Sequence, residues 1–140
     1  MLLDLFHPDL MTEPAVTRAR QSASSTLAIR SSVDSLPVET GWSHATIITL
    51  AAHEIRQPAA REQLFHELQR VTANSGSIIV IEHLRNLAAF LAFGPGLFHF
   101  YPRREWIRLA RNAKLALKSE IDITPFVHVF LFTPDQKNAN

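Results

Sequence analysis

Two short stretches each place a histidine, a glutamate and an arginine within four residues: HEIR at residues 53–56 and EHLR at residues 82–85. His53-Glu54 is half of a zinc-protease signature. In that helix a second histidine follows four residues after the first, so both imidazoles share a face and the glutamate acts as base. Here that position holds Gln57, and the histidines at 7, 44, 66, 83, 99 and 128 show no ligand spacing. The sequence therefore argues against zinc. A hydrolase using His53 with Ser43 or Ser75 would need an acidic partner and a nucleophile elbow, and neither motif is present.

Both stretches end apolar runs, so the elements that deliver them decide what they do. Runs of strand length alternate with segments of helical period, which predicts α/β layering. Residues 1–5 (MLLDL) predict a strand, followed by a loop and a helix entered near Thr12. Residues 26–30 (TLAIR) predict the next strand, and DSLPVETGW a loop. Residues 45–52 (ATIITLAA) lack polar alternation, as in a strand covered on both faces in a parallel sheet. A helix starts at Pro58, with Ala60, Leu64, Leu68 and Val71 inward and Arg61, Glu62, Gln69 and Arg70 outward. It is expected to stop at Asn74-Ser75-Gly76. Residues 77–81 (SIIVI) predict a second fully buried strand. Residues 102–113 predict a helix with Trp106, Leu109, Ala110 and Ala113 inward, and LALKSEI with PFVHVFLF an antiparallel edge pair.

The 140 residues suit one domain, expected over residues 1–134, with DQKNAN at 135–140 as a disordered tail. Fourteen basic and thirteen acidic residues leave a formal charge of +1, which excludes broad attraction to nucleic acid. Without cysteine there are no disulfides and no thiolate chemistry, as fits a reducing cytoplasm. The most apolar segment, NLAAFLAFGPGLFHF, is broken by Gly94-Pro95-Gly96 and falls short of the roughly 20 residues of a membrane span. Nor does a signal peptide precede DLFHPDLMTE.

In an open parallel sheet, ligands bind beyond the carboxyl ends of the strands. Asp4, His53-Glu54 and Glu82-His83 all fall there. Asp4 could accept hydrogen bonds from a ribose diol or be a solvated strand end. His53 could be a pocket wall or a base. Glu54 with Arg56 reads as a solvated or structural pair. Glu82, His83 and Arg85 read equally as a network fixing the strand end or as substrate contacts. Phe90, Phe93, Phe98, Phe100 and Tyr101 read as core or lid.

Several blocks resemble the later two-thirds of a class I S-adenosylmethionine-dependent methyltransferase: DLFHPDLMTEPAVTRAR, LPVETGWSHATIITLAAHEIR, ELQRVTANSGSIIVIEHLR and FHFYPRREWIRLARNAKL with ITPFVHVFLF. The ELxRVxxxxG run before an apolar strand is the most specific of them. The resemblance implies a Rossmann-like α/β sheet, truncated at its N-terminal side, with an antiparallel C-terminal strand pair. It implies methyl transfer from S-adenosylmethionine to a small-molecule acceptor. Asp4 then matches the acidic residue that holds the ribose. Ser32 and Val33 fall at the adenine, with Ser32 where an aspartate is usual. Ala51, Ala52 and His53 lie beside the methionine moiety and the acceptor. Glu82, His83, Phe98, His99 and Tyr101 are acceptor-side candidates, and His53 and His83 the candidate catalytic residues.

The family's first strand and glycine-rich loop have no counterpart here, since Gly41, Gly76, Gly94 and Gly96 form no GxGxG. Weak cofactor binding by this chain is therefore expected. The alternative is a catalytically silent Rossmann-like binding or oligomerisation module. The resemblance places the absent strand between residues 1–5 and 45–52, so the first of these is expected to move in beside the second and close the gap. The other outcomes are a strand donated by a second copy through unpaired sheet edges, or the missing segment supplied from elsewhere.

Overall fold

The computed structural model describes residues 1–14, 17–18 and 28–135. Its elements are β1 (Leu3–Asp4), β2 (Ile29–Arg30), β3 (Ser43–Thr49), α1 (Pro58–Val71), β4 (Thr72–His83), α2 (Leu87–Phe93), α3 (Arg103–Asn112), β5 (Leu115–Thr124) and β6 (Val127–Pro134). Two 3-10 turns, Ala52–Glu54 and Gly94–His99, follow β3 and α2. Most of the helix expected after Thr12, residues 26–27 of the expected second strand and residues 136–140 of the expected tail lie outside the described residues. Asp135 donates its N–H to the Lys114 carbonyl at 2.9 Å.

The main sheet has the order β3-β4-β6-β5. β3 runs parallel to β4, whereas β4 with β6 and β6 with β5 are antiparallel. The expected C-terminal hairpin is thus present, with β5 outermost. β1 and β2 form a separate parallel pair, with Leu3 opposite Ile29 and Asp4 opposite Arg30.

That pairing overturns the gap-closing expectation. Residues 1–5 do not form a ladder with β3, and among the described residues β3 has β4 as its sole strand partner. β3 is accordingly an edge strand, not one covered on both faces: Ile48 is buried, but Ile47 is 62% exposed. β4 is also less enclosed than its composition suggests. Ile78 and Val80 are fully buried, while Ile79 and Ile81 on the other face are half-buried. An unbroken apolar run leaves open whether a second layer is present, and here that face is only partly covered.

α1 and α3 cover the buried face. Ala60, Leu64, Leu68 and Val71 point inward as the period requires, joined by Phe65, whose ring stacks on Trp106 of α3 at 6.3 Å. Trp106, Leu109, Ala110 and Ala113 are buried as expected. Arg61 is not on the solvent face but only 3% exposed. α1 begins immediately after the irregular segment at residues 55–57, in which the carbonyls of Ile55 and Arg56 look for donors. The Arg61 guanidinium supplies them, reaching the Ile55 carbonyl at 2.7 Å and that of Arg56 at 3.0 Å. It also meets the Tyr101 hydroxyl at 2.9 Å and Glu105 at 3.2 Å.

The expected stop at Asn74-Ser75-Gly76 lies inside β4, because α1 ends at Val71 and passes directly into strand. The turn signal appears instead as an irregularity in the β3–β4 ladder, where Ser43 faces Thr72 but Ala45 faces Ser77. Chain folds back on itself there, and a Cβ at Gly76 would lie 2.8 Å from Thr72 Cγ2 and 3.0 Å from the Ser43 carbonyl oxygen.

Candidate functional site

The ends of β3 and β4 are tied together by one carboxylate. Leu50, in the left-handed region at φ 47°, turns the chain sharply after β3 and donates its N–H to the Ile81 carbonyl at 2.8 Å. A non-glycine residue in this region is held by its surroundings. The turn aims the amides of Ala52 and His53 at Glu82, whose Oε1 accepts them at 2.8 and 3.4 Å. Glu82 Oε2 lies 2.6 Å from His53 Nδ1. Glu82 is fully buried and His53 5% exposed. A carboxylate only accepts, so Glu82 takes its hydrogen bond from the Nδ1–H side of the His53 ring and leaves Nε2 on the opposite side.

Around this dyad three further segments converge. From the second 3-10 turn, His99 brings its ring to 5.3 Å from His53 and places Nε2 3.1 Å from Glu54 Oε1. Glu54 Oε1 is also 3.2 Å from His53 Nε2. Arg56 holds the His99 carbonyl at 2.8 Å, touches the His99 ring and lies 3.5 Å from Glu13. Its own N–H reaches the Leu10 carbonyl at 3.1 Å, which docks the segment after β1 onto the turn. Arg85 grips the carbonyls of Phe100 at 2.7 Å and Phe98 at 3.2 Å. The segment around Phe98 and Phe100 is thus anchored by backbone, while Phe98 stays 69% exposed.

His83 sits differently. Its ring stacks on Phe100 at 4.7 Å and Phe126 at 6.0 Å, and its Nδ1 is buried without a hydrogen-bond partner among the described residues. Burial, reinforced by nearby His53, pushes its pKa below the ordinary imidazole value of 6.5, so the ring is neutral at neutral pH.

Asp4 is half-buried at the end of β1, with Oδ1 accepting the Phe6 N–H at 3.1 Å and the backbone carbonyl accepting that of Ser31 at 2.9 Å. This brings Ser32 and Val33 close to Asp4 in the fold. Val33 is buried in the core, and the exposed Ser32 hydroxyl bonds to Asp34. Ala51 and Ala52 lie on the turn after β3. Tyr101 faces away from the dyad, against Arg61 and Trp106. The structure thus joins His53, Glu82, His83 and His99 in one cluster and Asp4 with Ser32-Val33 at another strand end. Glu13 carries no signal in the sequence, and Glu54 with Arg56 reads there as a pair by itself. No spacing rule could have joined them to His99, which is 45 residues from Glu54.

No protein-family model and no curated protein sequence matches the chain. Solved structures do match in fold. A Pyrococcus horikoshii protein superposes with a TM-score of 0.66 at 15% identity, over 94% of this chain and 69% of its own. An S-adenosylmethionine-dependent methyltransferase from Aquifex aeolicus gives 0.65 at 12%, over 93% and 65%. One from Methanosarcina mazei gives 0.64 at 13%, over 94% and 80%. Among the described residues no helix is long and apolar enough to cross a membrane. The chain has the mixed α/β, Rossmann-like fold of the class I S-adenosylmethionine-dependent methyltransferases and spans part of their length.

Proposed function

We propose that the chain carries the acceptor side and part of the cofactor side of a methyltransferase acting on a small-molecule acceptor. The observation that supports this most is the His53–Glu82 dyad at the carboxyl ends of two parallel strands in a methyltransferase fold. S-adenosylmethionine, when bound, supplies an electrophilic methyl group. The residues at the Asp4 strand end fit its ribose: a carboxylate with one oxygen steadied by the Phe6 N–H, beside a backbone that can serve the adenine at Ser32-Val33. Nothing in the sequence supplies a GxGxG loop for the amino-acid end, so this chain binds the cofactor weakly.

His53 is the better of the two candidate bases. Glu82 holds its Nδ1–H, leaving Nε2 to receive a proton from an acceptor hydroxyl, and stabilises the imidazolium that results. His83, held neutral in an aromatic stack and without a carboxylate partner on its ring, is better suited to orienting the acceptor. The unpaired edge of β3 is where a second copy of the chain would add a strand. Backbone NMR shifts on titration with S-adenosylhomocysteine test the assignment. Changes confined to Asp4, residues 31–34 and residues 50–54 are expected. Absence of any shift at millimolar ligand would instead favour a silent module.

A further inference from the structure

The dyad, Glu54 and His99 form an arrangement that methyl transfer does not require. His53 Nδ1 donates to Glu82, and His53 Nε2 faces Glu54 Oε1 at 3.2 Å. His99 Nε2 lies 3.1 Å from the same Glu54 oxygen, while its Nδ1 meets both Glu13 Oε1, at 3.2 Å, and the Arg56 guanidinium. Two imidazole nitrogens and one carboxylate oxygen, each able to ligate a metal, thus lie within 4.8 Å of one another. The second Glu54 oxygen is buried without a hydrogen-bond partner among the described residues. Carboxylates in direct contact with the two imidazoles are Glu13, Glu54 and Glu82, whereas the cation in contact with them is Arg56.

We propose that His53 Nε2, Glu54 Oε1 and His99 Nε2 form a three-ligand site for a divalent transition metal of the zinc type, with Glu82 as the outer carboxylate that orients His53. Ligands about 2.0 to 2.1 Å from a tetrahedral ion stand about 3.3 Å apart. Both spacings to Glu54 are close to that value. A carboxylate accepting the remote N–H of a ligating histidine is the usual outer support, and the fourth position is left for water or an acceptor. Arg56 NH2, 3.0 Å from His99 Nε2, occupies the approach and can retire toward Glu13. Arg56 is therefore a competitor of the metal. A metal-loaded chain cannot use His53 Nε2 as a base, so loading and base function exclude each other.

Metal binding is read without methyl transfer, so its failure is distinct from failure of the enzyme reading. Titration calorimetry with zinc and absorption spectroscopy with cobalt would be run on the chain, with circular dichroism as a check on folding. Expected is a tetrahedral cobalt spectrum, and zinc affinity lowered by roughly 10- to 100-fold or more in Glu54→Gln and in His99→Gln. Arg56→Met should strengthen binding. His128→Gln, which removes a ligand from the separate Glu120–Asp122–His128 cluster, should leave this site unchanged. Zinc affinity unaltered in folded Glu54→Gln and His99→Gln, or no binding at millimolar zinc, would overturn the proposal.

Discussion

At the residue scale the account turns on Glu82. Its carboxylate serves two backbone amides and one imidazole while fully buried, so it decides both the shape of the turn after β3 and the orientation of the His53 ring. Removing one partner of a buried charged pair costs more than the pair contributes, because the survivor keeps its desolvation penalty. Glu82→Ala is expected to lower stability by about 3 kcal/mol, and Glu82→Gln by less because it retains an acceptor for Ala52. Urea denaturation of the two variants checks the order. Equal losses would mean that the charge, not the amide anchor, sets the cost. The sequence located Glu82 and His53 at two strand ends but not in contact, since nothing in a one-dimensional pattern says that residues 29 apart share a proton.

Elements were more legible. α1, α3 and the C-terminal hairpin follow from period and from the short link at residues 125–126. What periodicity missed was Arg61, because its burial is set by carbonyls outside the helix, and the run into β4 after Val71. Gly76 records the second point. Gly76→Ala would push a methyl group against Thr72 and the Ser43 backbone, and a loss of about 1 to 3 kcal/mol is expected by thermal or urea unfolding. A neutral result would mean that the β3–β4 irregularity relaxes freely. The loop before β3 is tied to α1 by Glu67, which accepts the Leu36 N–H at 2.8 Å and pairs with Arg70 at 2.7 Å. The Arg70 hydrogen bond, helped by that of Leu36, holds the Glu67 carboxyl below its ordinary value of 4.5. A depressed folded-state pKa contributes stability above the unfolded value and loses it as the pH falls through the folded one. Glu67→Gln should therefore destabilise by about 1 to 2 kcal/mol near neutrality, with the gap to the parent closing below 4.5. A gap independent of pH would contradict this.

For the whole molecule, two separate sheets replace the continuous one that the strand count suggested. The apolar character of residues 1–5 predicts a strand, of which Leu3–Asp4 forms, but composition does not select a partner, and β2 rather than β3 takes that place. β3 is left with an open edge and an exposed Ile47, the type of surface that natural edges blunt with lysine. Sedimentation velocity should show concentration-dependent association that Ile47→Lys reduces. A monomer at all concentrations would remove the case for pairing between copies.

The most direct test of the central claim is the affinity of this chain for S-adenosylmethionine, measured side by side with Asp4→Ala. Ligand-detected NMR reaches the range concerned. The account expects a dissociation constant on the order of 1 mM, corresponding to roughly −4 kcal/mol, and loss of the signal in Asp4→Ala. Low-micromolar affinity that survives the substitution would contradict the role given to Asp4. No binding by the parent chain would contradict the methyltransferase reading itself.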